Sequence, residues 1–309
     1  MDSLLLRRRI LQEASGGEPV ADNILTFKAI EDNSSIAMMK SSSGSPKLPS
    51  ANLEYSLDNG NTWNTFTVST STYYLNKVQV QKGKTIKFKG INERFCDLYG
   101  GGTFRYHWFV MTGKFEASGD ITSILNGIGG DVELPYYGFY CMFKDCTQLV
   151  TAPNLPSTTL NSYCYTGLFS NCTALITAPK LPATILSYSC YSAMFNGCTS
   201  LEQAPILPST TLTSYCYNSM FRDCTSLIQA PELPALSLVQ YCYQAMFKGC
   251  SNLSYIKAMF TIDTYYYNTD NWLNGVAEHG IFIKNIAAEW EVSEENIIPS
   301  GWTVQTASE

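Results

Sequence analysis

Histidine is nearly absent: the 309 residues include only His107 and His279. No HExxH, GxSxG or GxxxxGK[ST] pattern occurs, and Gly100-Gly101-Gly102 is not followed by Lys-Ser or Lys-Thr. Zinc-hydrolase, serine-hydrolase and phosphate-loop chemistry therefore have no basis in the sequence. Charge is sparse too, at 15% of residues with a net of −6. The basic residues form no stripe, which excludes the phosphate-tracking surface that nucleic-acid binding needs. No stretch reaches the roughly 18 apolar residues of a membrane-crossing helix, so no membrane insertion is expected. At the start, Leu4-Leu5-Leu6 precede Arg7, Arg8 and Arg9. A secretory signal has the reverse order, with a longer apolar core and a small-residue cleavage site, so none is read here.

Paired carboxylates of the kind that hydrolyse glycosides are not evident either. Asp145, Glu202, Asp223 and Glu232 fall in repeat columns held elsewhere by Asn, Gly, Ile or Lys, and read as solvated decoration. The expectation is a protein without enzymatic activity, cofactor or metal.

What the chain does have is self-similarity. From about residue 134 a step of 26 residues aligns Cys164, Cys190, Cys216 and Cys242 in one column and Cys146, Cys172, Cys198, Cys224 and Cys250 in another. The columns Phe143, Phe169, Phe195, Phe221, Phe247 and Leu149, Leu175, Leu201, Leu227, Leu253 keep the same step. A fixed period without insertions marks identical coils in a continuous stack. Within a unit, Cys216, Met220, Phe221 and Cys224 sit at i, i+4, i+5, i+8, a spacing that predicts a helical turn. Leu227 to Ala230 then predicts a short strand or bridge, and Pro231 and Pro234 a shaped turn.

The recurring pattern MFxGCTSLxxAPxLPxTxLxxxCYxxMF resembles the BspA-like leucine-rich repeats of Bacteroidales proteins and of phages of those bacteria. The resemblance covers roughly residues 134–260. The flanks LTFKAIED (25–32), YSLDNGNTW (55–63), KTIKFKG (84–90) and GKFEASGDITSIL (113–125), with GIFIKN and IPSGWTV near the C-terminus, resemble regions that accompany those repeats. The first coil departs from the pattern, with Gly138 at the cysteine column and an extra Cys141, and reads as a modified cap.

Outside the repeat, period-2 alternation at Leu25–Ala29, Val78–Val80 and Ile86–Phe88 predicts strands, and Asp58-Asn59-Gly60 and Lys82-Gly83 read as hairpin turns. Ser56 to Trp63 matches the Asp-box hairpin of sialidases, read here as a structural turn in which Asp58 bonds backbone amides and Trp63 packs inside. The expected architecture is β-rich α+β. It comprises an N-terminal helix or attachment peg at 1–23, with Leu6, Ile10 and Ala14 on one face, and a small β-sandwich-like domain at 24–118. A leucine-rich-repeat-like solenoid follows at 119–260, its first part a cap, and a C-terminal cap at 261–309. A frayed tail is the other reading of 1–23.

The ladder Cys164, Cys172, Cys190, Cys198, Cys216, Cys224, Cys242 and Cys250 reads as buried thiols acting as small apolar groups. Disulfides and zinc are the alternatives, disfavoured by parallel side chains and an odd total of eleven cysteines. Thiol richness without a signal fits assembly in a reducing cytoplasm. Tyrosine carries the recognition signal. Tyr165, Tyr191, Tyr217 and Tyr243 follow the first cysteine column, and Tyr137, Tyr163, Ser189, Tyr215 and Tyr241 precede it. One column is expected to be half-buried and the other exposed. Tyr165, Tyr191, Tyr217 and Tyr243 are the candidate ligand-binding residues, stacking on sugars or forming hot spots for a protein, unless both columns merely close the coil edge.

The resemblance implies a phage virion component, such as a tail or head fibre or a receptor- or glycan-binding decoration. It would join other virion proteins through its N-terminal region and meet a host glycan or protein, and a homo-oligomer, for instance a trimer, is compatible with that role. A bacterial cell-surface adhesin is the alternative.

Overall fold

The computed structural model describes residues 23–41, 50–71, 73, 75–99, 103–261, 267–288 and 298–307. The expected peg lies outside them, save residue 23. The chain is β-rich, with one four-residue helix among the described residues.

Nine strands build the N-terminal part. They are β1 (Leu25–Ala29), β2 (Ser34–Lys40), β3 (Leu53–Ser56), β4 (Asn64–Thr65), β5 (Val78–Val80), β6 (Thr85–Gly90), β7 (Cys96–Tyr99), β8 (Thr103–Thr112) and β9 (Phe115–Ser118). Helix α1 (Ser123–Asn126) and strand β10 (Leu149–Thr151) follow. One sheet runs β10-β9-β1-β6-β3-β4 and a second β5-β2-β8-β7. Alternation drives the assembly: Leu25, Phe27 and Ala29 of β1 are wholly buried while Lys28 between them is exposed. Phe109 of the second sheet meets Phe27 and Phe88 of the first, each at 5.4 Å between ring centroids, so the two sheets face each other.

The Asp58-Asn59-Gly60 turn joins β3 to β4 as a hairpin. Asp58 accepts bonds from the Thr62 amide (2.8 Å) and hydroxyl (2.6 Å), which with the Ser56 hydroxyl hold its carboxyl down at about 2. Trp63, expected inside, is only half-buried, its ring covered by the Lys89 ammonium at 4.0 Å. Phe66 takes the interior position, 4.9 Å from Phe88. Lys82-Gly83 is a second correction: β5 and β6 belong to different sheets, so this turn crosses between layers and closes no hairpin. Turn residues specify a reversal, not whether the two strands pair.

Past β10 the 26-residue units stack without insertion, and the backbone shows how. In the unit at 163–172, the amides of Tyr163, Tyr165, Gly167, Phe169 and Asn171 donate to carbonyls 25 residues ahead, at 2.7 to 3.0 Å. Between them Cys164, Thr166, Leu168, Ser170 and Cys172 donate to carbonyls three residues back, at 3.0 to 3.3 Å. Tyr163, Gly167 and Asn171 have φ of 61°, 60° and 60°. The segment is thus a ribbon of four-residue turns with a left-handed residue at every fourth position, not the helical turn that the i, i+4, i+8 spacing suggests. A helix would bind nearly all its amides within itself; this ribbon spends alternate ones on the next coil. Its side chains run two in, two out, clearest in the next unit: Cys190 and Tyr191 are buried, Ser192 and Ala193 half-buried, then Met194 and Phe195 buried. Third left-handed positions are held by Asp145, Asn171, Gly197, Asp223 and Gly249. At Gly197 and Gly249 a Cβ would collide with the carboxamide of Asn171 and the carboxylate of Asp223 in the preceding coil.

The opposite side of each coil is tied by parallel bridges, Thr151 to Thr177, Thr177 to Gln203 and Gln229 to Tyr255, near the expected position. Strands β11 (Tyr255–Ala258), β12 (Gly280–Lys284) and β13 (Trp302–Thr306) form a parallel sheet at the C-terminal end. At the other end the sandwich seats directly on the first coil: the Phe109 amide donates to Met142 at 2.8 Å, and Phe109 stacks on Phe143 at 5.2 Å and 9°. From there Phe143, Phe169, Phe195, Phe221 and Phe247 stack at 5.5 to 5.7 Å, within 8° of parallel. One hydrophobic core runs from the sandwich to Trp302. Phe195 is wholly buried mid-stack, and Phe195→Ala is expected to cost about 3–5 kcal/mol in a urea titration, because neighbouring coils cannot collapse into the gap. A loss under about 1 kcal/mol would show that the stack is loosely packed there.

Candidate functional site: an outward tyrosine track

The candidate ligand-binding residues Tyr165, Tyr191, Tyr217 and Tyr243 are core residues, each at most 1% exposed. They stack from Phe139 to Trp272 at 5.8 to 6.4 Å. This corrects the surface role assigned from sequence. In the four-residue turn, the residue after the cysteine points inward with it, and the residue before the cysteine points out. Burial raises the ionisation of all four phenols. The Tyr191 and Tyr217 hydroxyls are buried without a hydrogen-bond partner in the structure.

The cysteine columns lie beside them. All eleven cysteines are free and buried. In the second column each thiol donates to a phenylalanine carbonyl of the preceding layer: Cys146 to Phe109, Cys172 to Phe143, Cys198 to Phe169, Cys224 to Phe195 and Cys250 to Phe221, at 2.9 to 3.2 Å. Burial pushes Cys198 and Cys250 up to about 12. These thiols are small apolar groups that also satisfy backbone carbonyls.

The outward column makes a continuous aromatic track. Ring centroids step from Tyr137 to Tyr163 (4.9 Å), Tyr188 (5.3 Å), Tyr215 (5.3 Å), Tyr241 (4.6 Å) and Tyr267 (5.4 Å). At the sandwich end Tyr140, Tyr106 and Trp108 prolong it at 6.3, 5.5 and 5.3 Å. Tyr137, Tyr163, Tyr215 and Tyr241 all occupy left-handed backbone, with φ of 57° to 61°. That conformation costs an ordinary side chain roughly 1–2 kcal/mol, and Gly, Asn or Asp adopts it more cheaply. The third left-handed column uses those cheap residues; the first uses tyrosine. Where Ser189 interrupts the column, Tyr188, 41% exposed, supplies the missing ring from the preceding position. The ring is kept while the backbone position that carries it changes.

Next along the outward side lies a neutral polar column of Thr166, Ser192, Asn218 and Gln244, closed by Asp270. Asn218 donates to Gln244 at 2.8 Å and Gln244 to Asp270 at 3.4 Å. Burial, the Tyr163 hydrogen bond and its charge raise Tyr188; burial, the charges of Tyr188 and Tyr241 and a Tyr241 hydrogen bond raise Tyr215. Tyr188 and Tyr215 are thus neutral donors and acceptors at physiological pH. Sequence reasoning passes over Tyr188 and gives Tyr267 to the C-terminal cap, although Tyr267 stands 26 residues beyond Tyr241.

Asp145, Glu202, Asp223 and Glu232 are exposed, as solvated decoration should be. Among the described residues no group of three or more His, Cys, Asp or Glu could hold a metal, and no helix is long and apolar enough to cross a membrane. Comparison with family models, curated proteins and solved structures finds no match to the chain.

Proposed function

We propose that the chain is a non-enzymatic recognition protein. In this reading a leucine-rich-repeat-like solenoid at 119–260 is carried on the 24–118 sandwich and closed by the 261–309 cap. It serves as a phage virion component, a fibre or receptor-binding decoration, docked through its N-terminal region and assembled as a homo-oligomer. The carrying observation is the tyrosine track, maintained at a backbone cost and across the Ser189 gap. The resemblance of the repeat to BspA-like proteins supports the virion setting and, as a second reading, a bacterial surface adhesin.

Fluorescently labelled protein is expected to bind Bacteroidales cells. Tyr188→Ser with Tyr215→Ser should weaken that binding at least about tenfold, the weight of one or two aromatic contacts, and shift Tm by only a few degrees. Undiminished binding by the double variant would remove the track from recognition. Gold-labelled antibody against the chain should decorate phage particles; decoration of uninfected cells alone would replace the virion reading with the adhesin.

A further inference from the structure

Resting on that reading, we infer that the track binds an extended, neutral polysaccharide edge-on, laid along the stacking axis with one sugar per coil. Ring orientation argues first. Tyr137 and Tyr163 are 18° from parallel, Tyr215 and Tyr241 30°, and Tyr241 and Tyr267 28°, at centroid separations of 4.6 to 5.4 Å. Their faces are therefore covered by one another, and face stacking on a sugar is closed along most of the track. Only Tyr188 is strongly tilted, by 59° and 47° to its neighbours. Tyr137, Tyr163, Tyr215 and Tyr241 are partly exposed and Tyr188 and Tyr267 exposed. With most faces paired, ring edges and phenol hydroxyls are left for a ligand, and the hydroxyls donate and accept as sugar hydroxyls do.

Spacing argues second. The step of 4.6 to 5.4 Å between rings is close to the rise per residue of an extended β-linked pyranose chain. It does not match an extended peptide, whose same-side residues recur at about 6.6–6.8 Å. Charge argues third: the ring column is uncharged and the adjoining polar column stays neutral from Thr166 to Gln244, so nothing on the track selects a polyanion. The phenol row offers hydroxyls along the stack. In the polar row Thr166 and Ser192 donate to the Ser189 and Asn218 carbonyls at 2.6 and 3.3 Å, so that row meets the sugars through its remaining acceptor lone pairs.

Affinity gel electrophoresis with purified β-glucan, xylan and mannan, and with alginate as the polyanion, tests this. At least one neutral polysaccharide should retard the protein and alginate should not. Affinity for its oligosaccharides should rise with length and level off near the hexasaccharide, which spans Tyr137 to Tyr267. Replacing Tyr163, Tyr188, Tyr215 and Tyr241 by Phe keeps the ring stack and removes the hydroxyls. Retardation should fall at least about tenfold with Tm preserved, the combined weight of the neutral hydrogen bonds lost. Tyr191→Phe, which removes a buried hydroxyl, should bind as the unmodified protein does. Undiminished binding by the four-Phe protein, or retardation by alginate alone, would overturn the inference. Should no polysaccharide retard the protein while Tyr188/Tyr215-dependent cell binding persists and is abolished by protease treatment of the cells, the partner is a protein: recognition stands and the polysaccharide falls. Loss of cell binding as well would sink both.

Discussion

Raising the pH from about 8 to about 10 is expected to unfold the protein. The cause is the set of buried thiols, most of them in the two stacked columns: burial raises the ionisation of Cys96, Cys141, Cys146, Cys164, Cys172, Cys190, Cys198, Cys216, Cys224 and Cys250 above the usual 9.0. Each group is neutral in both states below that value, so its contribution to stability is complete there. Above it the unfolded chain loses protons that the folded chain keeps, and the equilibrium moves toward unfolding until the folded thiols also ionise. One pH unit above its unfolded value, a thiol contributes about 1.4 kcal/mol to this loss. Ten thiols give a loss on the order of 10 kcal/mol, comparable with the whole net stability of a typical domain. Urea midpoints measured at stepped pH should be level to about pH 8 and then collapse, with thiolate absorbance appearing together with loss of circular dichroism. A midpoint that stays level to pH 10, or thiolate absorbance in the folded protein, would mean the thiols are not sealed in the stack.

The second large effect sets chemically identical changes against each other. Tyr191→Ser with Tyr217→Ser should abolish cooperative folding of the stack, whereas the outward Tyr188→Ser, Tyr215→Ser pair leaves it standing. The inner rings are 1% exposed and stacked at 6.0 Å. Truncating one such aromatic costs about 3–5 kcal/mol. Two in contact share a single cavity, so their costs do not simply add, but together they approach the lower range of domain stability. Near-ultraviolet circular dichroism and Tm would report the result. A Tm within a few degrees of the unmodified protein would place these rings outside the core.

Much of this architecture is legible in the sequence. The 26-residue columns name the stacked phenylalanines, leucines and cysteines, and strict alternation marks β1, β5 and β6. The turn ribbon is not legible from hydrophobic spacing, because positions i, i+4 and i+8 drift by only about 80° on a helix and not at all on a four-residue turn. Over nine residues both patterns bury Cys164, Leu168 and Cys172. The distinction decides which tyrosine column faces water, and the helical reading chose the wrong one. A discriminating signal does exist: Gly167 and Asn171, both tolerant of left-handed backbone, lie four residues apart, and the Asn171 column continues with equally tolerant Gly197, Asp223 and Gly249. The sheet partners of β5 were beyond reach for a different reason: pairing across a sandwich depends on packing that no local run of residues encodes.

The amides that reach forward 25 residues give the fold an unusual freedom of length. Each coil meets its neighbours through the same donors, the same carbonyls and the same inward rings, so the sandwich before Phe143 and the sheet after Phe247 need only a coil to abut, not a particular coil. Removal or duplication of one whole 26-residue unit in the interior joins like to like and preserves both ends. Gene slippage in steps of a full unit could therefore lengthen or shorten the protein in increments of one coil, each adding or subtracting one ring, and reach would evolve separately from the chemistry at either end.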